Sequence, residues 1–172
     1  MNRRPKKDEY AKYYQPYIDK VPKGNILDNL KSVHQETQDF FKNVGEINGN
    51  YRYAPGKWTL KEVLIHLIDA EQVFAYRALR FARKDKTPLP GFEENDYVDA
   101  VDVSNRTIKD LMKEYRITRD LTLVMFSHFE EWMFEERGTA SDNEISVRAL
   151  AYCILGHEIH HREVIKERYL GV

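Results

Sequence analysis

The chain has 172 residues, 42% hydrophobic and 32% charged, with 27 Lys plus Arg against 28 Asp plus Glu and a formal net charge of −1. That length suffices for one domain with its own core, and the balanced charge excludes a global field that would recruit nucleic acid or an anionic membrane. No apolar run approaches the ~18 residues of a membrane span, and one cysteine, Cys153, excludes an internal disulfide, so a single-domain cytoplasmic protein with no nucleic-acid or membrane partner is expected.

Residues 1–24 form a polar, aromatic stretch with Tyr10, Tyr13, Tyr14 and Tyr17, ending at Pro22 and Gly24. Four tyrosines read as an arm packed over the domain of residues 25–172 or over a partner; stacking on nucleobases would need a basic groove that the sequence lacks. From Asn25 to about Val44, Ile26, Leu30, Val33, Phe40 and Phe41 recur at helical spacing and predict helix one. His34 lies one step off that stripe and is expected at the surface or boundary. Gly45, Gly49 and Pro55-Gly56 then break the chain into a loop.

Helix two opens on the capping box Thr59-Leu60-Lys61-Glu62, directly after Trp58. Leu60, Val63, Leu64, Leu67, Phe74, Ala78 and Phe81 make a broad inward face, with His66 on its edge in the row Val63, His66, Ala70, Val73. A single histidine there usually bonds a core carbonyl or carboxylate. If it is a metal ligand, Glu62 and Asp69, one turn to either side, could orient its ring. The connection from Lys84 to Ser104, with Pro88, Pro90 and Gly91, far exceeds the ~2 to 8 residues that antiparallel bundle neighbours need. It therefore reads as a crossover between parallel helices, part of which could cover a pocket.

Ser104 is the expected cap of helix three, whose core face reads Ile108, Leu111, Met112, Tyr115, Thr122, Met125 and Phe129. His128 has no partner at ligand spacing. The polar segment Glu130–Glu144 carries a short β-excursion at Trp132–Phe134 and places Arg137 in a solvated charge cluster.

Helix four spans about Ser146 to Tyr169. Val147, Leu150, Ile154, His157, His161, Val164 and Arg168 follow in steps of three and four, the seam of a bundle helix. Two imidazoles are thereby sent toward the core, at a cost unless both are satisfied, and one metal ion satisfies both. His160 falls about 100° round the helix, away from the pair. Gly156-His157-Glu158-Ile159-His160-His161 also spells H-E-x-x-H, the zinc-protease motif. That reading fails because no histidine follows His161 and the chain reads as almost all helix, with no sheet beside the motif. The third ligand then comes from another helix, with His66 the candidate. Three histidines leave coordination positions open, the mark of a catalytic site. Cys153 is read as a small core residue.

These residues resemble a known family. Lys57-Trp58-Thr59-Leu60-Lys61-Glu62-Val63-Leu64-Ile65-His66-Leu67-Ile68-Asp69 and Gly156-His157-Glu158-Ile159-His160-His161 are similar to the two paired motifs of the DinB-like superfamily, also called YfiT-like metal-dependent hydrolases. Tyr76-Arg77-Ala78-Leu79-Arg80, Pro88-Leu89-Pro90-Gly91-Phe92 and the Tyr-rich start resemble one branch of it. The resemblance implies an all-α four-helix bundle with up-down-down-up topology and a long crossover between helices 2 and 3. It implies that His66, His157 and His161 bind a divalent metal, nickel or zinc, in a homodimer. It also implies a small-molecule thiol or other small substrate, with the protein acting as a thiol S-transferase or hydrolase on a small electrophile. Glu158 and His160, beside the ligands, join Glu62 and Asp69 as residues that would support them. The alternative from a different class is a non-catalytic stress-response or interaction protein whose metal staples the bundle.

Overall fold

The computed structural model describes residues 3–171. Its helices are α1 (Gln15–Lys20), α2 (Ile26–Val44), α3 (Leu60–Ala82), α4 (Glu94–Asp99), α5 (Ile108–Ser127) and α6 (Val147–Val164), with one hairpin, β1 (Arg137–Ala140) and β2 (Asn143–Ser146). The four long helices, α2, α3, α5 and α6, make the bundle.

Each long helix begins where a side chain can take an orphan amide. Asn25 Oδ1 accepts from Leu27 N at 2.9 Å, and Ser146 Oγ accepts from Ala149 N at 3.0 Å. The capping box on α3 forms in full, with Glu62 N donating to Thr59 Oγ1 at 3.1 Å and Thr59 N donating to Glu62 Oε2 at 2.6 Å. The cap of α5 is Thr107, not Ser104: Thr107 Oγ1 accepts from Asp110 N at 3.0 Å. Ser104 instead sits in a turn closed by Asp102 Oδ1, and its carbonyl accepts from the buried Lys61 ammonium at 3.0 Å.

Contacts along the helices establish their directions. Lys61 meets Ser104 ahead of α5, Glu71 meets Arg119, and Arg83 lies over Phe129 just beyond α5, so α3 and α5 run parallel. Glu46, after α2, accepts from Ile108 N at 2.7 Å, which makes α2 and α5 antiparallel. Tyr169, past α6, donates to the Trp58 carbonyl ahead of α3 at 2.7 Å, so those two are antiparallel as well. The topology is up-down-down-up, and the long connection between α3 and α5 is the crossover that permits it.

That crossover is pinned rather than loose. Leu89 N donates to Thr139 O at 2.9 Å and Ser141 N donates to Leu89 O at 3.1 Å, which fastens it to the hairpin. Strand pairing runs from Arg137↔Ser146 to Ala140↔Asn143, leaving Ser141 and Asp142, both at positive φ, as a two-residue turn of the twist hairpins prefer. The β-structure thus lies at Arg137–Ser146; Trp132–Phe134, expected to be extended, is a 3₁₀ turn. The last turn of the chain, Ile165–Leu170, widens to a π-helix, so the regular part of α6 ends before Tyr169.

The sequence pattern gave α6 one inward seam. In the structure every residue from Val147 to Ile159 is buried, because α1 covers the side that the bundle leaves open. Ile18 and Val21 of the arm belong to the core, and Glu9 makes a two-pronged, buried ion pair with Arg148 at 3.0 and 2.8 Å while accepting from Ser146 Oγ. Gly156 is where the arm comes closest: a Cβ there would lie 2.0 Å from the Tyr17 carbonyl oxygen and 2.4 Å from its carbon. Backbone cannot swing aside as a side-chain tip can. Gly156→Ala is therefore expected to displace α1 and cost about 1–3 kcal/mol, seen as a lower urea midpoint with faster proteolysis of residues 3–24; an unchanged midpoint would refute the close packing.

Two apolar clusters fill the bundle, one from Ile18, Leu30, Phe74, Phe81, Phe126 and Ile154, the other from Phe41, Leu64, Ile68, Leu111, Tyr115 and Ile165. Between them in each helix lie polar residues: His34 in α2, Glu71 in α3, Arg119 in α5, His157 and Glu158 in α6, all buried. His34, expected at the surface or boundary, is 8% exposed with its ring against Tyr115 at 5.4 Å. No helix among the described residues is long and apolar enough to cross a membrane.

Candidate metal centre

Two faces meet in this polar layer: the edge of α3 that carries His66 and the turn of α6 that carries His157 and His161. Helical spacing puts His157 and His161 on one side of α6, ring centroids 4.5 Å apart. His66 lies 4.8 and 4.9 Å from the two rings, and its Nε2 is 3.0 Å from that of His157. One nitrogen from each of the three falls within 4.8 Å of the others, so the arrangement could hold a metal ion. The ligand chemistry fits: three neutral imidazoles with converging lone pairs suit zinc or a later transition metal better than magnesium or calcium, which want oxygen.

Burial keeps the rings neutral. It pulls His66 down to about 4 and His161 to about 3, the latter helped by the rings of His66 and His160; His157 is likewise held well below its usual range by burial and then by its neighbours. In the metal-free protein these depressed values link to stability. The unfolded chain takes up protons near 6.5 and the folded one does not, so stability is full above that pH and falls as the pH drops toward 4. His66 alone accounts for roughly 3 kcal/mol across that window. Chemical denaturation of the metal-free protein at pH 7 and pH 4.5 should show the loss, and His66→Phe should reduce it by the His66 share while the contributions of His157 and His161 remain; a pH-independent midpoint between those values would count against neutral, buried histidines.

Aromatic walls surround the cluster. Trp58 packs on His66 at 4.8 Å and Phe74 on His157 at 6.3 Å. Tyr17 from the arm sets its edge to His157 and His160, at 5.4 and 5.3 Å, and burial raises its phenol well above the ordinary range, so it stays a hydrogen-bond donor. A cavity of about 370 Å³ opens on the three histidines, bounded by Tyr14, Tyr17, Trp58, Phe74, Arg77 and Phe92 among others. That volume is at the low end for a small-molecule site.

The residues expected beside the ligands are placed differently from one another. Glu62 is committed to the α3 cap and to Arg52, 3.7 Å away. Asp69 is half-buried, its carboxyl raised by burial and by Glu114. His160 packs on His161 at 5.1 Å. Glu158 turns away from the three histidines: it accepts from the Tyr115 hydroxyl and from Arg119 at 2.6 Å. Arg119, fully buried, also makes a bidentate pair with Glu71 at 2.8 and 2.7 Å. Burial pushes the Glu158 carboxyl up, but the Arg119 charge and its hydrogen bonds outweigh that and hold it below the usual range. A cavity of about 10 Å³, the size of one water, is lined by His157, Glu71, Tyr115 and Glu158 among others.

Glu71 and Arg119 were not anticipated from sequence. The signal was present, since each interrupts an inward stripe: Leu64, Leu67, Glu71, Phe74 in α3 and Tyr115, Arg119, Thr122, Phe126 in α5. Opposite charges at core positions of different helices point to a buried pair. Cys153 is fully buried in the core cluster, its thiol pushed up by burial, and His128 is exposed.

The fold and the site define a class: a four-helix bundle of up-down-down-up topology whose α3 and α6 bring together three histidines able to hold a metal. The chain belongs to the DinB superfamily, which it matches over residues 7–165. Its fold is similar to that of YfiT from Bacillus subtilis, with a TM-score of 0.72 at 14% identity over 97% of this chain and 93% of that one. YfiT is described as a probable metal-dependent hydrolase with an unusual four-helix bundle topology. A DinB-like protein of Bacillus subtilis, YjoA, superimposes with a TM-score of 0.61 at 16% identity, over 87% of this chain and 93% of that one. A search of curated proteins finds no match.

Proposed function

We propose that this chain is a metal-dependent enzyme that holds a divalent ion, nickel or zinc, on His66, His157 and His161 and acts as a thiol S-transferase or hydrolase on a small electrophilic substrate. The observation that carries the reading is the convergence of three neutral imidazoles on one point at the floor of a 370 Å³ cavity. The description of YfiT as a probable metal-dependent hydrolase agrees with it. Three protein donors leave coordination open toward the cavity, which favours catalysis over a metal that merely staples the bundle.

When bound, such an ion supplies Lewis acidity that makes the proton of a thiol or water easier to remove. The chain's own groups do the rest. Trp58 and Phe74 exclude water from the histidines and fix their rings. The Tyr17 phenol offers a donor to a ligand in the cavity. Glu158, engaged by Arg119 and Tyr115, is a structural charge rather than a proton acceptor for the reaction.

The test is a screen of the nickel- and zinc-loaded protein against several low-molecular-weight thiols with a generic electrophile, and against activated esters. Metal-dependent turnover in either arm that disappears in His157→Ala supports the reading. A fully loaded protein with its coordination closed by protein alone, inert in both arms, would favour the stapling role.

A further inference from the structure

Three arginines are buried among the described residues: Arg77, Arg119 and Arg148. Two of them have carboxylate partners at ion-pair distance, Arg119 with Glu71 and Glu158 and Arg148 with Glu9. Arg77, only 3% exposed, has only neutral acceptors among the described residues: one terminal nitrogen donates to the Pro90 carbonyl at 2.9 Å and to Ser141 Oγ at 3.1 Å, and the Tyr14 hydroxyl lies beside it. Its guanidinium is flanked by the rings of Phe74 and Phe92, at 6.0 and 5.9 Å. A guanidinium has five N–H donors, which Pro90 and Ser141 do not exhaust, and Arg77 lines the cavity that opens on the histidines, beside Tyr14. The group is thus desolvated, held by two fixed acceptors, flanked by two aromatic faces and, among the described residues, without a carboxylate at ion-pair distance. That is the construction of an anion site, since a planar fork binds a carboxylate through two parallel hydrogen bonds.

The position along α3 sets the reach. His66, Ala70, Phe74 and Arg77 follow in steps of four, four and three and all line the cavity, with Phe74 near both the Arg77 guanidinium and the His157 ring. One molecule can therefore span from histidine cluster to guanidinium along a single helix face. Glu94 lines the same cavity, and its charge disfavours a polyanion.

We propose that Arg77 is the docking point for the carboxylate of a small, singly charged ligand whose other end reaches the His66–His157–His161 cluster. The histidine end rests on the metal reading above; the Arg77 end does not. The substrate class is a small molecule with a carboxylate at one terminus and its reacting group at the other, and the two aromatic rings favour an apolar stretch between them.

The experiment separates the two ends. On the metal-free protein at low ionic strength, ligand-observed NMR compares hexanoate with hexanamide, which share shape and differ in charge. Hexanoate should bind roughly tenfold more tightly, as one charge-assisted bidentate contact implies, with the preference reduced in Arg77→Lys and gone in Arg77→Met. Equal or undetectable binding of both by the wild-type protein overturns the proposal without any variant, so a misfolded Arg77→Met cannot shelter it. Persistence of the preference in a folded Arg77→Met also overturns it. Metal content is measured on the same preparations. A carboxylate preference in a protein that never takes up nickel or zinc sinks the metal reading while leaving the Arg77 site standing.

Discussion

His157→Ala should reduce bound nickel or zinc from about one ion per chain to a trace after dialysis, because a three-donor site cannot lose a donor and keep its affinity. Loss of a group that only orients a ligand already costs about 10–100-fold in metal affinity, so loss of a donor should exceed about 100-fold. The effect extends to stability. An ion that binds only the folded state stabilises it by about 4 kcal/mol at a thousandfold excess over its Kd, and the added metal should raise the wild-type unfolding temperature but not that of His157→Ala. His66→Ala should behave in the same way, though it lies 91 residues away in sequence and meets His157 only across the helix interface. His128→Ala, at an exposed position away from the cluster, serves as the control and should bind metal normally. Unchanged metal content in both His66→Ala and His157→Ala would show that the ion, if any, sits elsewhere.

The second large effect lies next to the site. Arg119→Met should destabilise the fold by about 3–5 kcal/mol, the range seen when one partner of a buried ion pair is removed. The reason is what remains: Glu71 and Glu158, 4% and 2% exposed, would face each other with no cation between them. Total stability of such a domain is only about 5–15 kcal/mol, so the variant should sit near the edge of unfolding at room temperature. Adding Glu71→Gln and Glu158→Gln to Arg119→Met should restore much of the loss, because the amides carry no charge and keep the shape. Urea unfolding of the single and triple variants decides the matter. A loss below about 1 kcal/mol in Arg119→Met would mean that water reaches the pair.

Much of the architecture was legible because it is written in local periodicity. The stripes of α2 and α3, the capping box at Thr59 and the length of the connection after Lys84 each follow from chain-local physics, and the structure agrees on all three. Where a local signal had a near competitor it misled. Ser104 and Thr107 are both good caps, but the helix starts at Ile108, which puts Thr107 at the capping position, while the backbone of Ser104 is held by Asp102 and Lys61. The all-round burial of α6 was invisible in its own pattern, since it depends on α1 arriving from the far end of the chain and seating against Gly156.

The sequence by itself determined the four long helices, the crossover and the presence of two imidazoles on one turn of α6, because spacing along a helix sets which side chains share a face, whereas the short helices α1 and α4 were not legible in it. It did not determine what those faces meet. That His66 comes within 3.0 Å of His157, that Glu158 turns to Arg119 rather than to the histidines, and that Arg77 meets neutral acceptors among the described residues are facts of helix rotation and register. A rotation of one residue, about 100°, would exchange these partners without changing any periodicity. Only the packing of both apolar clusters at once selects the register, and the polar layer between them follows from it.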